Sequence, residues 1–199
     1  MFRKALIVFL PALLSCFAAV LATGQAVPSA TLDAHPYEVG GGLAIFSPDI
    51  GSGPMLGYGI WGDYSPSFLS FGDHGLSLEG QFKDINFHRS SSQPNVHEVS
   101  ILAGGTYSWY YFRDFYPMAS VKVGYGALDF LFNQDHSYTH DSRTIYSFSG
   151  GGQYRLIGKI WLRGDYEIQT WPGLFNRNLH PNGVTIGVAY DFRVRRRPF

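Results

Sequence analysis

Histidine, serine and carboxylate side chains are where chemistry could reside in this sequence, and they gather in two polar stretches. In the first, His88 stands close to Ser90, Ser91 and Ser92. The second holds Asp135, His136, His140 and Asp141. An imidazole beside a hydroxyl can activate it as a nucleophile, provided that a third group orients the base. Two imidazoles with two carboxylates can hold a cation, provided that about four ligands converge. Spacing in neither stretch fixes such a geometry. Both read as solvated loops, and no catalytic residue, metal or cofactor is assigned. Gly150-Gly151-Gly152 lies in a strand pattern without the following Lys of a phosphate loop. Cys16, the one cysteine, lies in an apolar N-terminal segment, so neither thiol catalysis nor a disulfide is expected of the mature chain.

A second set of reactive groups is spaced regularly. Glu38, Asp63, Glu79, Lys83, Glu98, Lys122, Arg155, Arg163, Asp165 and Glu167 each alternate with apolar neighbours. A period of two belongs to an extended strand with two unlike faces. Eight such stretches occur. Tyr37–Ile45 opens the series, followed by Leu56–Tyr64, Leu76–Lys83 and Glu98–Trp109. Then come Pro117–Gly126, Tyr146–Arg155, Ile160–Gln169 and Val184–Phe192. Parity slips at Asp84-Ile85, which predicts a bulge or a membrane edge there. Polar loops are expected at 47–54, 88–96, 129–143 and 172–182, with shorter turns after the fourth and sixth strands. The turn region 65–75 is long for that scheme.

About ten residues suffice for a tilted strand to cross a bilayer. The charged row decides which face is inside. One Arg or Lys facing lipid at mid-membrane costs about 2–4 kcal/mol. Ten charges there would cancel the folding free energy, so that row must line a lumen and the apolar row must face lipid. A soluble barrel would invert this. Of the lumen residues, Glu38, Glu79, Glu98, Asp165 and Glu167 are expected to pair with Lys83, Lys122, Arg155 and Arg163 in a closed network. Gly40, Gly42, Gly57, Gly59, Gly124 and Gly126 leave room for bulky neighbours. Aromatics at strand ends predict interfacial girdles: Tyr37, Tyr64, Phe68, Tyr107, Trp109, Tyr110, Tyr125, Tyr154, Trp171, Tyr190 and Phe192.

Composition agrees. Lys+Arg and Asp+Glu are 15 each in 199 residues, so no global charge points to nucleic acid. Charged residues are 15%, aromatics 17%, and glycine is 24 of 199, well above the usual share of roughly 7%. Arg3 and Lys4 followed by apolar residues through Ala22 predict a secretory signal peptide over 1–26, in preference to a membrane-spanning helix. Leu13-Leu14-Ser15-Cys16 also resembles a lipoprotein processing box, although the apolar run continues past it. A periplasmic lead-in over 27–36, a barrel over 37–194 and a basic tail over 195–199 complete the expected division.

The last strand carries the most specific motif. Thr185, Gly187, Tyr190 and Phe192 fill the pattern polar-x-Gly-x-x-aromatic-x-aromatic. This resembles the C-terminal signal of bacterial outer-membrane barrels. With its seven companion strands the chain resembles the small OmpA-type outer-membrane β-barrel domain family. The resemblance implies an all-β, eight-stranded antiparallel up-and-down transmembrane barrel in the bacterial outer membrane. It implies outer-membrane lipids, lipopolysaccharide, periplasmic chaperones and the barrel-assembly machinery as partners. No peptidoglycan-binding domain follows, and seven residues follow Phe192, so Phe199 competes as the terminal aromatic. The expected role is structural or surface-interacting, not enzymatic, with a plugged lumen and an unassigned loop ligand. Alternatives are a narrow pore, a soluble periplasmic barrel, or a lipid A-modifying enzyme. The lipid A deacylases that resemble this architecture use His, Ser and Glu near the outer rim, where His88, His136 and His140 would lie.

Overall fold

The structure, a computed structural model, describes residues 34–50, 53–71, 74–87, 95–109, 114–132, 137–174 and 177–193. The expected signal peptide, His88, Ser90–Ser92, Tyr110, Asp135, His136 and the tail beyond Arg193 lie outside them.

Eight long strands make the wall: β1 (Ala34–Ser47), β2 (Met55–Tyr64), β4 (His74–Phe87), β5 (Asn95–Trp109), β6 (Phe115–Phe132), β7 (Ser137–Ile157), β8 (Ile160–Leu174) and β10 (Asn182–Arg193). Two short strands flank them, β3 (Ser70–Phe71) against β4 and β9 (Arg177–Leu179) against β8. Each wall strand pairs antiparallel with its neighbours, and β10 pairs with both β8 and β1, which closes the barrel. The paired registers run through the alternating residues, so the two rows become two faces. Val39, Leu43, Ile60, Leu78, Ile101, Val121, Phe148, Ile168, Ile186 and Val188 are exposed on the outside, as a lipid-facing row requires.

Glycines set the closest approaches. A Cβ on Gly187 would lie 2.3 Å from the carbonyl oxygen of Gly41, and one on Gly42 would lie 2.3 Å from that of Ile186, so the β1–β10 seam needs both glycines. Gly40 and Gly126 make room for the rings of Trp61 and Trp171, whose atoms stand 2.4 Å from where their Cβ atoms would be. Gly158, at φ +55°, forms the tight β7–β8 turn beside a register shift at Arg155/Ile157.

Several expected boundaries move. There is no bulge at Asp84-Ile85: the β4 register with β2 and β5 is continuous there. What changes is polarity. Ile85 points inward and is fully buried, while Asp84 and Asn86 point outward. The same exchange recurs on neighbouring strands, with Val96, Leu128 and Ile145 inside and His97, Asp129 and His140 outside. Residues 129–132 and 137–143 are correspondingly strand, not loop, since β6 and β7 run for 18 and 21 residues. Those lengths exceed the ~10 residues that cross a bilayer. Past the apolar band the outward face of these strands turns polar, with Asp129 on β6 and His140 on β7, while Leu128 and Ile145 point inward. Similarly, 172–182 includes the end of β8 and all of β9. At the other end, β1 begins at Ala34, inside the expected lead-in, and the region 65–75 contains a short 3-10 turn and β3.

Candidate functional site

The lumen is layered. At the loop end, Phe46, Met55, Ile85, Val96, Leu128, Ile145, Trp171, Leu174 and Leu179 form an apolar cluster. Leu174 and Leu179 come from the β8–β9 excursion, which brings them into that cluster. Below it lie the charges. Nearer the chain termini, Trp61 and Trp161 share a small apolar cluster with Ala189, and Tyr116 stacks on Trp161 with centroids 4.9 Å apart.

Arg163 on β8 organises the charged layer. Its Nη2 donates to Glu79 Oε1 and Oε2 on β4, at 3.0 Å each. Its Nη1 reaches Asp63 Oδ2 on β2 at 3.4 Å, and its Nε donates to Asp165 Oδ1 at 3.1 Å. The guanidinium carbon lies 4.9 Å from the centroid of a Trp61 ring, a cation–π distance. Glu79 also accepts from Lys122 Nζ at 2.8 Å and from Thr106 Oγ1 at 2.7 Å. Lys122 lies 3.9 Å from Glu167, and Lys83 Nζ donates to Glu167 Oε2 at 2.6 Å. Lys83 in turn sits 4.2 Å from the Phe46 centroid, where the network meets the apolar cluster. Gln169 Nε2 donates to Glu167 and Trp171 Nε1 donates to Gln169, carrying the chain upward. One connected path therefore runs Asp63, Arg163, Glu79, Lys122, Glu167, Lys83 across strands β2, β8, β4 and β6.

Most of the expected lumen residues are brought together. Arg155 is not: it is half-buried at the terminal end, and its Nε donates to the Gly158 carbonyl in the turn. Glu38 is buried lower down and accepts from Gln153 Nε2 at 2.5 Å. Glu98 is buried at the upper end, with both carboxylate oxygens lacking a hydrogen-bond partner among the described residues. Asp191, on the inward row of β10, is also buried. Among the described residues, seven carboxylates (Glu38, Asp63, Glu79, Glu98, Asp165, Glu167, Asp191) and three cations (Lys83, Lys122, Arg163) are thus buried, not the near-balance expected.

The motif residues of β10 divide by parity. Thr185 is buried and Gly187 lies at the seam, while Tyr190 and Phe192 face outward, edge to face at 4.6 Å. The outward aromatics Tyr37, Tyr64, Tyr107, Trp109 and Tyr154 gather at the terminal end, and Tyr58, Tyr125, Tyr146 and Tyr166 nearer the loop end. Trp171 is the exception to the expected girdle: it points inward, because its indole N–H finds Gln169 there.

Sequence reasoning missed one group. Asp84, His97, Asp129 and His140 share outward parity, whereas the sequence reading puts Asp84 at a parity slip, Asp129 and His140 in a polar loop, and His97 between a loop and a strand. Continuing the period-two count past the apolar residues would have placed them together. His140 joins Asp129 there, not a metal cluster; no group of three His, Cys, Asp or Glu that could hold a metal occurs among the described residues.

The family described as outer membrane protein beta-barrel domain matches residues 15–192. Among solved structures, Neisserial surface protein A superposes with a TM-score of 0.63 at 14% identity, covering 80% of this chain and 99% of that one. OprG of Pseudomonas aeruginosa gives 0.53 at 15% identity, covering 79% and 96%. Ail of Yersinia pestis, in complex with the heparin analogue sucrose octasulfate, gives 0.52 at 13% identity, covering 77% and 95%. At these identities the likeness concerns the fold. No curated protein matches the sequence.

Proposed function

The chain belongs to the outer membrane protein beta-barrel domain family, and from that premise we propose that it is a structural, surface-interacting protein of the bacterial outer membrane whose lumen is closed to ions. The observation that carries this reading is the continuous path from Asp63 through Arg163, Glu79 and Lys122 to Glu167 and Lys83. An eight-stranded barrel has an interior only wide enough for side chains. Here those side chains are tied across the bore, and the cluster around Phe46, Ile85 and Trp171 stands over them. An ion would have to cross both a fixed network and a dry layer.

On this reading the loop end faces the medium and the termini face the periplasm, after export by the N-terminal signal. Tyr190 and Phe192 are read by the assembly machinery, and lipopolysaccharide and phospholipid surround the apolar band. The long β6–β7 hairpin then stands above the membrane as the surface available to a partner. Planar-bilayer recordings of the refolded protein test the closed lumen. The expected result is no steady conductance above the bare bilayer; stable unitary currents would overturn it. Orientation has its own test. A Ser142→Cys variant is expected to react with a membrane-impermeant maleimide on intact cells, and labelling only after cell disruption would reverse the assignment.

A further inference from the structure

A line of polar side chains crosses the outside of the barrel above the apolar band. Asp84 on β4, His97 on β5, Asp129 on β6 and His140 on β7 stand on successive strands. In the registers, His97 is opposite Asn86 on one side and Asp129 on the other, and Asp129 is opposite His140. His97 Nε2 lies 3.1 Å from Asp84 Oδ1, and its Nδ1 lies 3.7 Å from Asp129 Oδ2. His140 Nδ1 is hydrogen-bonded to the other oxygen of Asp129. Both ring nitrogens of His97 therefore face carboxylate oxygens. A neutral imidazole carries a single N–H, so one of those contacts sets a lone pair against an anion. An imidazolium carries two.

We propose that this line is an acid-strengthened brace that holds the extramembrane ends of β4–β7 together. With both histidines protonated the line alternates carboxylate, imidazolium, carboxylate, imidazolium across four strands. Opposite charges on facing strands stabilise a sheet. Imidazole is the side chain that changes charge between about pH 5 and 8. Asp84 is held in place by Asn86 Nδ2 at 2.7 Å on its own strand and by the Tyr58 hydroxyl at 3.4 Å from β2. On β6 and β7, Tyr125 bonds Ser142 on the same outward face. Asp141 and Arg143 occupy the other face of β7 and pair with each other at 3.4 Å.

This brace belongs to the outer wall and is independent of whether the lumen conducts. Its test is hydrogen exchange by mass spectrometry on the intact, lipid-reconstituted protein at about pH 7.5 and about pH 5.5, after correction for intrinsic rates. Peptides from β1 and β2 serve as the internal reference. Exchange across 126–132 and 137–144 is expected to slow by about two- to tenfold at the lower pH, as befits partly exposed ion pairs. The double variant His97→Asn, His140→Asn is expected to lose that difference, and Asp129→Asn to lose most of it. Equal protection at both pH values in the unmodified protein would overturn the brace, whatever the variants do. So would an undiminished pH difference in a double variant that retains heat-modifiable migration.

Discussion

Arg163 on β8 and Glu79 on β4 meet across the lumen, with the Arg163 Nη2 within 3.0 Å of both Glu79 oxygens and both side chains essentially fully buried. Their strands are not neighbours in the wall. The contact therefore ties opposite sides of the barrel, and it is the point at which Asp63, Asp165, Lys122 and Thr106 also converge.

Breaking that pair leaves a buried charge without its partner, which costs about 3–5 kcal/mol, whereas replacing both partners with apolar groups can be neutral. Glu79→Leu and Arg163→Met are each expected to lower the stability measured by urea unfolding in lipid by that amount. The double variant is expected to recover much of the loss. Strict additivity of the two single effects would mean that the contact contributes little.

The polarity exchange along β4 and β5 predicts a contrast between two substitutions that place the same charge on the same outer face. Ile101→Arg puts a cation against lipid in the apolar band and is expected to cost about 2–4 kcal/mol. Asn86→Arg, beyond the band, is expected to cost no more than about 1 kcal/mol. Equal costs in unfolding titrations would place the membrane edge elsewhere.

Trp171 is buried at the top of the network and donates to Gln169. Trp171→Ala removes that ring from the apolar cluster, and loss of so large a core side chain costs about 3–5 kcal/mol. A lower unfolding midpoint is expected, together with a measurable leak in planar bilayers if this cluster is the main seal. A stable but leaking variant would assign the seal to the cluster, and a silent, destabilised one to the ion pairs beneath it.

Tyr190 and Phe192 end the outward row of β10, and the strand runs only one residue further, to Arg193. Removal of residues 194–199 is expected to leave assembly in cells unchanged, as read by heat-modifiable migration of outer-membrane fractions. Phe192→Ser is expected to reduce it. The opposite pair of results would make Phe199 the aromatic that is read.

Alternation determined most of this fold. Charges such as Glu79, Lys122 and Glu167 recur at even spacing among Val, Ile and Leu, and their cost in lipid leaves one face for them, the inside. That reasoning needs only local chain geometry and a solvent, so eight strands, their two faces and most of the lumen residues were legible in the sequence. Three things were not. Partner choice within the lumen depends on which side chains the closed wall brings level: Arg163 could have met any of the six acids of the charged row, and Arg155, on the same row, falls at a turn and reaches Gly158 instead. The height of the membrane edge depends on where backbone pairing stops, and β6 and β7 continue pairing through polar residues that looked like loop. The brace of Asp84, His97, Asp129 and His140 draws one residue from each of four strands. Its members are 56 residues apart at the extremes of the sequence and become neighbours only through the registers, which side-by-side hydrogen bonding sets and no single strand encodes.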